Sequence, residues 1–595
     1  MGPPRVFYFC LVTLFLNLLI HFRTGCNAAT ASEVTIPQGS LQGAILFSRQ
    51  NRSIFAFYGI PYGQPPVGDL RFSSPVAANA WNGTLNATVE GNVCIQYLNG
   101  AVIGDEDCLY LNVYTPQLPN NTSSSLLPVM VWIPGGGFEQ GSGNSDLYSS
   151  EFLLDSDVLL VSVSYRLGAL GFLSTGDDVA PGNWGLKDQV LALKWVQNNI
   201  AYFGGDPDQI TLFGQSAGGA SVQLHALSDL TTGLFHKYIS QSGSALGFWP
   251  WRPSSTYANR ASLLGEYVGC PTNGSTYLVA CLRQINASVI TQTITQLYVW
   301  GSNPFPFWGP TDEPDVDGAF LIDNPETLIK AGKMRDLPAI TGSVRNEGVG
   351  FLVSSLPGSD LLETLLDDFD NLAPIIYQYS GRVDDESTIT AALKSYYFNN
   401  DMTTNRTLLW YNLTLLVTDI FFMYPIYTAV QEQYAIAENS PYFYSFEYRG
   451  TYSYGSQYIY SSLLDESISH CDELLYLFPE TDTLFGVGTE SMTETDLLMV
   501  ETMVQLWTSF AINGTPTTSA AISNTTWLPY SASGNYLRIG NDGDPTLEIQ
   551  YDFLPERMLF WKELMTSTTS GNTSHGPFSL GSIAILLIVY SKVFL

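Results

Sequence analysis

Apolar and polar positions along this chain follow two different periods. Short runs rich in β-branched and apolar residues stop at Gly-rich or polar turns: Leu127 to Ile133, Val158 to Tyr165, Gln209 to Phe213, Lys237 to Ser240, Leu337 to Thr341 and Tyr442 to Tyr448. Helical patterns fill the gaps between them, for example Trp184 to Asn199. Strands that alternate with helices predict an α/β fold, with a large, mostly parallel central sheet covered by helices on both faces. In such sheets chemistry collects on the loops leaving the carboxyl ends of strands.

Composition narrows the reading. The chain has 595 residues, of which 45% are hydrophobic and only 13% charged, which excludes a disordered or fibrous protein. No repeat or linker divides its middle, so one large domain is expected. Against 55 Asp and Glu stand 24 Lys and Arg, a formal charge of −31. That charge repels phosphate backbones and excludes nucleic acid as a partner, while leaving cationic small molecules allowed.

The two ends read as processing segments. Met1 to Arg5, the apolar run Val6 to Ile20 and the small residues Ala28, Ala29 and Ala31 follow the order of a secretory signal peptide, expected to end near residue 29. The apolar run is short for a membrane span. Asn-x-Ser/Thr sites recur from Asn51 to Asn572, as in a glycosylated secreted protein. A catalytic region is expected over 30–563, a polar spacer over 564–577 and an apolar tail over 578–595. The last two resemble a GPI-attachment signal, with Ser570, Gly571 or Asn572 as attachment positions. A C-terminal membrane helix is the alternative, although Lys592 sits inside it and no basic segment follows.

Beyond the leader remain Cys94, Cys108, Cys270, Cys281 and Cys471. In an oxidising compartment the close pairs Cys94 with Cys108 and Cys270 with Cys281 are the economical disulfides, each closing a loop worth about 3 kcal/mol. Cys471 is then left alone. No CxxC pair or Cys/His cluster suggests a metal site.

Gly214-Gln215-Ser216-Ala217-Gly218 matches G-x-S-x-G. So short a pattern arises by chance in a chain with 52 Gly, and its setting is what counts. The apolar strand Ile210 to Phe213 leads in, and a helix starting with small residues leads out. A strand-to-helix turn this sharp strains the nucleophile and exposes its hydroxyl at a helix N-terminus, which favours developing negative charge. A second glycine run, Pro134-Gly135-Gly136-Gly137-Phe138, follows the strand ending at Ile133. Consecutive N–H groups there can converge on one oxyanion.

At this point the residues resemble a known family. FGQSAGGASV around Ser216, the segment Glu106 to Pro116 and the Gly135 to Gly137 loop are similar to those of type-B carboxylesterases, relatives of the cholinesterases within the α/β-hydrolase fold. SYRLGALGFL (164 to 173), NWGLKDQVLALKWVQNNI (183 to 200), FGGDP (203 to 207), Cys281-Leu282-Arg283 and Trp507 to Gly514 extend the likeness, which runs from about Pro37 to Trp561. The resemblance implies a serine carboxylic ester hydrolase acting through an acyl-enzyme on small-molecule esters, with no cofactor.

An acyl-transferring serine needs a base within hydrogen-bond reach and an acid behind that base. Four histidines lie beyond the leader. His225 is on the helix that starts after Ser216, roughly 13 Å along its axis and on the opposite face. His236 leads into a strand and His575 lies in the tail. His470, in Ser-His-Cys-Asp-Glu-Leu, remains, and it matches the family's histidine segment. In α/β-hydrolase order the acid lies between Ser and His. Glu347 follows the strand ending at Thr341 and matches the family's acid. Asp312, Glu313, Asp315 and Asp317 precede any strand end and read as a solvated loop. The expected assignment is therefore Ser216 as nucleophile, His470 as base and then acid, and Glu347 as orienting carboxylate. The resemblance places the oxyanion donors at the N–H groups of Gly136, Gly137 and Ala217.

Several positions depart from the family pattern. Gln215 stands where many relatives carry Glu, Pro134 where His or Tyr often precedes the glycines, and Cys471 where Gly usually follows the histidine. A thiol there is either reactive or buried and inert. The stretch between Cys94 and Cys108 is short and lacks Trp, whereas cholinesterases carry in the matching loop a Trp that holds the choline cation. Acetylcholinesterase is disfavoured on that ground, and a large lipase-type lid on the shortness of the loop. Phe305, Phe307 and Trp308 form either an acyl pocket or ordinary core. A different class, cell-surface adhesion of the neuroligin kind, uses the same fold without the serine; the three residues retained here favour an enzyme.

Overall fold

The computed structural model describes residues 32–119, 125–350, 360–402, 405–458, 467–520 and 525–569. The leader, most of the C-terminal spacer and the apolar tail lie outside these residues, as do His575 and the proposed attachment positions.

The frame is an eleven-stranded sheet. Its strands in chain order are β1 (Ala44–Phe47), β2 (Ser53–Pro61), β3 (Tyr110–Thr115), β4 (Leu127–Ile133), β5 (Leu159–Val163), β6 (Gly205–Gln215), β7 (Lys237–Gln241), β8 (Ala339–Val344), β9 (Tyr442–Tyr448), β10 (Tyr536–Asp542) and β11 (Asp544–Gln550). In space they run β11-β10-β9-β8-β7-β6-β4-β5-β3-β2-β1. Pairing is parallel from β5 through β4 and β6 to β10. Both edges are antiparallel, with β3, β2 and β1 on one side and β11 on the other. The expected parallel centre is present, and the antiparallel flanks add to it.

Alternate residues of each central strand enter different cores. Val131, Leu212 and Tyr238 face one side with α1 (Trp184–Asn199), α2 (Ala217–Leu227), α3 (Arg406–Thr418) and α4 (Tyr424–Ile436). Trp132, Phe213, Ile239 and Tyr444 face the other with α5 (Glu494–Asn513). A strand buried on both faces is continuously apolar, which is why these runs were visible in the sequence. A π-helical turn, Asp419–Met423, joins α3 to α4, and the resulting helix is long and apolar enough to cross a bilayer. Most of its apolar stretch is buried in protein, so it is a core helix.

Both expected disulfides are present, Cys94 with Cys108 and Cys270 with Cys281, and Cys471 is a free thiol. The last helix among the described residues, α6, spans Pro555–Thr569. Its inner face is fastened: Arg557 pairs with buried Asp419, and Trp561 Nε1 donates to Tyr397 Oη at 2.8 Å. Among the glycosylation motifs, Asn51, Asn82, Asn86, Asn273, Asn286, Asn405 and Asn513 are exposed.

Candidate active site

The topology locates the site. The chain passes from β4 to β5 on one side, then returns to place β6 on the other side of β4. Loops leaving neighbouring strands at such a reversal diverge and open a crevice. Those loops are the glycine run after β4 and the Ser216 turn after β6, held in register by Gly214 opposite Ile133.

Ser216 lies between β6 and α2 with φ 58° and ψ −121°. A non-glycine residue there is strained by about 1–3 kcal/mol, and packing holds it. Its N–H donates to the Gln241 carbonyl at 2.8 Å, tying the turn to the end of β7. A Cβ on Gly218 would lie 1.9 Å from the Ile133 oxygen, and one on Gly243 would lie 2.2 Å from the Ser216 oxygen. The glycine after the serine is thus required by backbone contact with β4. Ser216 is 5% exposed, at the N-terminus of α2.

The glycine run presses on this turn. A Cβ on Gly135 would meet the Gln215 carbonyl at 2.8 Å and the Ser216 Cβ at 3.0 Å. Gly136, Gly137 and Phe138 all have positive φ, which winds the chain so that Glu139 and Gln140 both donate to the Gly136 carbonyl. Tyr165 Oη donates to the Pro134 carbonyl at 3.1 Å, and the N–H of Gly168 donates to the Phe138 carbonyl at 2.8 Å. From the other side Gln96, inside the Cys94–Cys108 loop, exchanges two hydrogen bonds with the backbone of Gly141. The short disulfide loop therefore braces the glycine run. Gly136 and Gly137 lie in this run and Ala217 opens α2, so all three expected donors are at the crevice.

His470 and Glu347 meet although they lie far apart in the chain. Nδ1 of His470 is 2.5 Å from Oε2 of Glu347. Glu347 is fully buried after β8, and its Oε1 accepts from the Val344 N–H at 2.9 Å. Asn346 sews the two loops together: its N–H donates to the Ile468 carbonyl at 3.0 Å and its Oδ1 accepts from the Ile468 N–H at 3.2 Å. A carboxylate only accepts, so Nδ1 carries the hydrogen and Nε2 keeps its lone pair. The Gln215 Nε2 lies 3.0 Å from that Nε2, which places the imidazole beside the Ser216 turn. The Phe422 ring, brought in by the π-helical turn, lies 4.9 Å from the imidazole and covers it.

Cys471 adopts φ 77°, the conformation for which glycine is the usual choice. Its thiol is half-buried, and burial together with Glu473, Glu480, Glu347 and Asp472 pushes it well above the ordinary thiol value. It is held protonated, which favours the inert reading. Burial also raises Asp472 to about 7, although Ser453, Ser469 and Tyr454 all donate to it. Glu473 is raised to about 8 by burial and by Glu347; its Oε1 accepts from Gln241 Nε2 at 3.3 Å.

The other candidates separate. His225 is fully buried with Nε2 2.7 Å from Gln189 Oε1, and burial lowers it to about 3. Nδ1 of His236 accepts from the Ile210 N–H at 3.1 Å. Asp315 and Asp317 are exposed as expected, but Glu313 corrects the solvated-loop reading. It is 4% exposed, paired with Lys187 at 2.5 Å and bonded by Asn183. A buried cation on α1 drew that carboxylate inward. Phe307 and Trp308 pack in the core, stacked with Arg260 and Tyr257, whereas half-buried Phe305 borders the glycine run. Gln241, Asn346, Glu473 and Glu139 were missed. Gln241 and Asn346 carried one signal, their place at the carboxyl ends of β7 and β8.

Comparison with known proteins gives the same direction. The Carboxylesterase family matches residues 30–561. The juvenile hormone esterase of Tribolium castaneum is 38% identical over 494 residues, 80% of this chain and 83% of that protein. Esterase FE4 of Myzus persicae is 38% identical over 535 residues, 88% of this chain and 91% of its own length. The crystal structure of juvenile hormone esterase from Manduca sexta, with OTFP covalently attached, superposes with a TM-score of 0.79 at 28% identity, covering 90% of this chain and all of that one. With the α/β-hydrolase sheet and full-length relatives in hand, the chain belongs to the carboxylesterase family and is a type-B carboxylic ester hydrolase.

Proposed function

We propose that this enzyme cleaves esters through an acyl-enzyme on Ser216. His470 Nε2 takes the Ser216 proton as the hydroxyl attacks the ester carbonyl. Glu347 holds the ring by Nδ1 and balances the positive charge that forms on it. The N–H groups of Gly136, Gly137 and Ala217 receive the oxyanion, aided by the N-terminal end of α2. Collapse expels the alcohol, which leaves with the proton from His470. Water then attacks the acyl-enzyme with the same imidazole as base, and the acid departs. The observation that carries this reading is the 2.5 Å contact between His470 and Glu347, with the other ring nitrogen turned to the residue beside Ser216.

The substrates are neutral, apolar esters. Phe305 and Phe422 border the site, and the sequence between Cys94 and Cys108 offers no Trp to hold a choline cation. Two named relatives act on juvenile hormone, which makes that hormone a candidate for the panel. The enzyme acts outside the cell. The leader over 1–29, the disulfides and the exposed glycosylation motifs support that placement, and the tail over 578–595 is exchanged for a GPI anchor. Release of activity from cells by phosphatidylinositol-specific phospholipase C supports the anchor; retention points to a membrane helix.

An ester panel tests the activity. Short-acyl, long-acyl, juvenile hormone and choline esters are assayed side by side with wild type and Ser216→Ala. Turnover of the neutral esters that Ser216→Ala abolishes supports the mechanism; normal rates in that variant refute it.

A further inference from the structure

The carboxyl of Glu139 joins the glycine run to a second loop, and nothing in the proposed chemistry uses it. Glu139 follows Phe138 directly and is 8% exposed. Its Oε1 accepts from the N–H groups of Phe307 at 2.7 Å and Trp308 at 2.8 Å. A buried carboxyl that accepts two donors fixes whatever carries them, and here the donors belong to the loop bearing Phe305.

That loop is otherwise held from its far side. Arg260 donates to the Phe307 carbonyl and lies 4.2 Å over the Phe307 ring, and Gln378 Nε2 donates to the Phe305 carbonyl at 2.6 Å. On the near side Phe305 rests on Gly137, where an added Cβ would lie 2.6 Å from its ring. Gly137 is one of the proposed oxyanion donors. The Phe305 ring therefore stands next to the position of the ester carbonyl, and its distance from Gly137 limits the space for the acyl chain.

We infer that Glu139 is a positioning residue for substrate selection: it clamps the Phe305 loop onto the oxyanion turn, and so fixes the wall that decides which acyl groups fit beside Ser216. This rests on the acyl-enzyme reading above. A side-chain amide can accept both N–H groups through its oxygen, so the clamp needs an acceptor at this reach and no charge. Shortening the side chain by one methylene withdraws the acceptor.

The test measures kcat and KM for p-nitrophenyl acetate, butyrate and octanoate with the glycosylated enzyme, comparing wild type with Glu139→Ala, Glu139→Asp, Glu139→Gln and Phe305→Ala. Glu139→Ala and Glu139→Asp should shift the octanoate-to-acetate ratio of kcat/KM toward octanoate by roughly fivefold or more, chiefly through KM for octanoate. Glu139→Gln should restore the wild-type ratio. Phe305→Ala should shift the ratio in the same direction, and adding Glu139→Asp to it should add little. Equal loss on all three esters, a Glu139→Gln ratio matching Glu139→Asp, or additive shifts in the double variant would overturn the clamp. Should Glu139→Ala fail to fold, the Asp, Gln and Phe305 variants carry the same test. A Ser216→Ala control that keeps full activity would overturn the acyl-enzyme reading instead.

Discussion

The side-chain nitrogen of Gln215 lies 3.0 Å from Nε2 of His470, while Nδ1 of the same ring is committed to Glu347. The Gln215 amide N–H therefore fixes the edge of the ring that faces the Ser216 turn. Gln215→Met removes that donor, so kcat/KM should fall severalfold with the fold retained. Wild-type kcat/KM in Gln215→Met, read beside a thermal melt, would show that this contact does not position the base.

Cys471 occupies a left-handed position one residue after the histidine. Relief of that conformation is worth about 1 kcal/mol, offset in part by lost packing of the thiol. Cys471→Gly should match wild type in thermal stability or exceed it slightly, with activity retained. Because acidic neighbours and burial hold the thiol protonated, iodoacetamide at pH 7 should leave the esterase active. Rapid inactivation that an ester substrate prevents would contradict this.

The glycines near Ser216 answer to two different neighbours. A Cβ on Gly218 collides with the Ile133 carbonyl at 1.9 Å, backbone that β4 holds in place. Gly218→Ala should cost more than about 3 kcal/mol and yield little folded protein. A Cβ on Gly135 meets Gln215 and Ser216 at 2.8 to 3.0 Å. Gly135→Ala should fold with a loss of about 1–3 kcal/mol, yet lower kcat by more than tenfold, since the displaced atoms belong to the nucleophile turn. Thermal melts beside initial rates separate the two; a Gly135→Ala enzyme with wild-type kcat would contradict the packing argument.

Glu473 is raised to about 8 by burial and by the neighbouring Glu347. A folded-state value above the unfolded one means that the native protein binds the extra proton. Its contribution is full below the ordinary carboxylate range near 4 and is lost as pH rises toward 8. Glu473→Gln removes this titration, so its melting temperature should fall less than that of wild type between pH 5 and pH 8.5. Parallel curves for the two proteins would show that Glu473 does not ionise in that window.

The parallel centre of the sheet was legible because strands such as Leu127–Ile133 are buried on both faces and read as an unbroken apolar run, and Tyr442–Tyr448 reads as an aromatic run broken only by Ser445 and Glu447. The edge strands were not, since β1 has no buried position and β11 only Leu547, so neither carries that signal. β8 begins at Ala339, two residues later than its apolar run, because Pro338 has no N–H for the ladder. That Glu347 and His470 would meet was legible from the place of Glu347 after a strand, from elimination among few histidines and from the family resemblance. Gln241 and Asn346 had only their places at strand ends to mark them, and Gln96 and Glu139 had nothing. The side chains of Gln96, Asn346 and Glu139 bond backbone far away in the chain and that of Gln241 bonds Glu473 and Trp507, and no local pattern marks which Gln, Asn or Glu will find such partners.

The central claim is that Ser216 forms the covalent intermediate, and the mass of its peptide after trapping tests it most directly. Diethyl p-nitrophenyl phosphate should release one equivalent of p-nitrophenol per active chain as ester hydrolysis stops, and the peptide containing Ser216 alone should gain a diethylphosphoryl group. The Ser216→Ala protein should gain none. Full inactivation with Ser216 unmodified, or with the label on another side chain, would contradict the account.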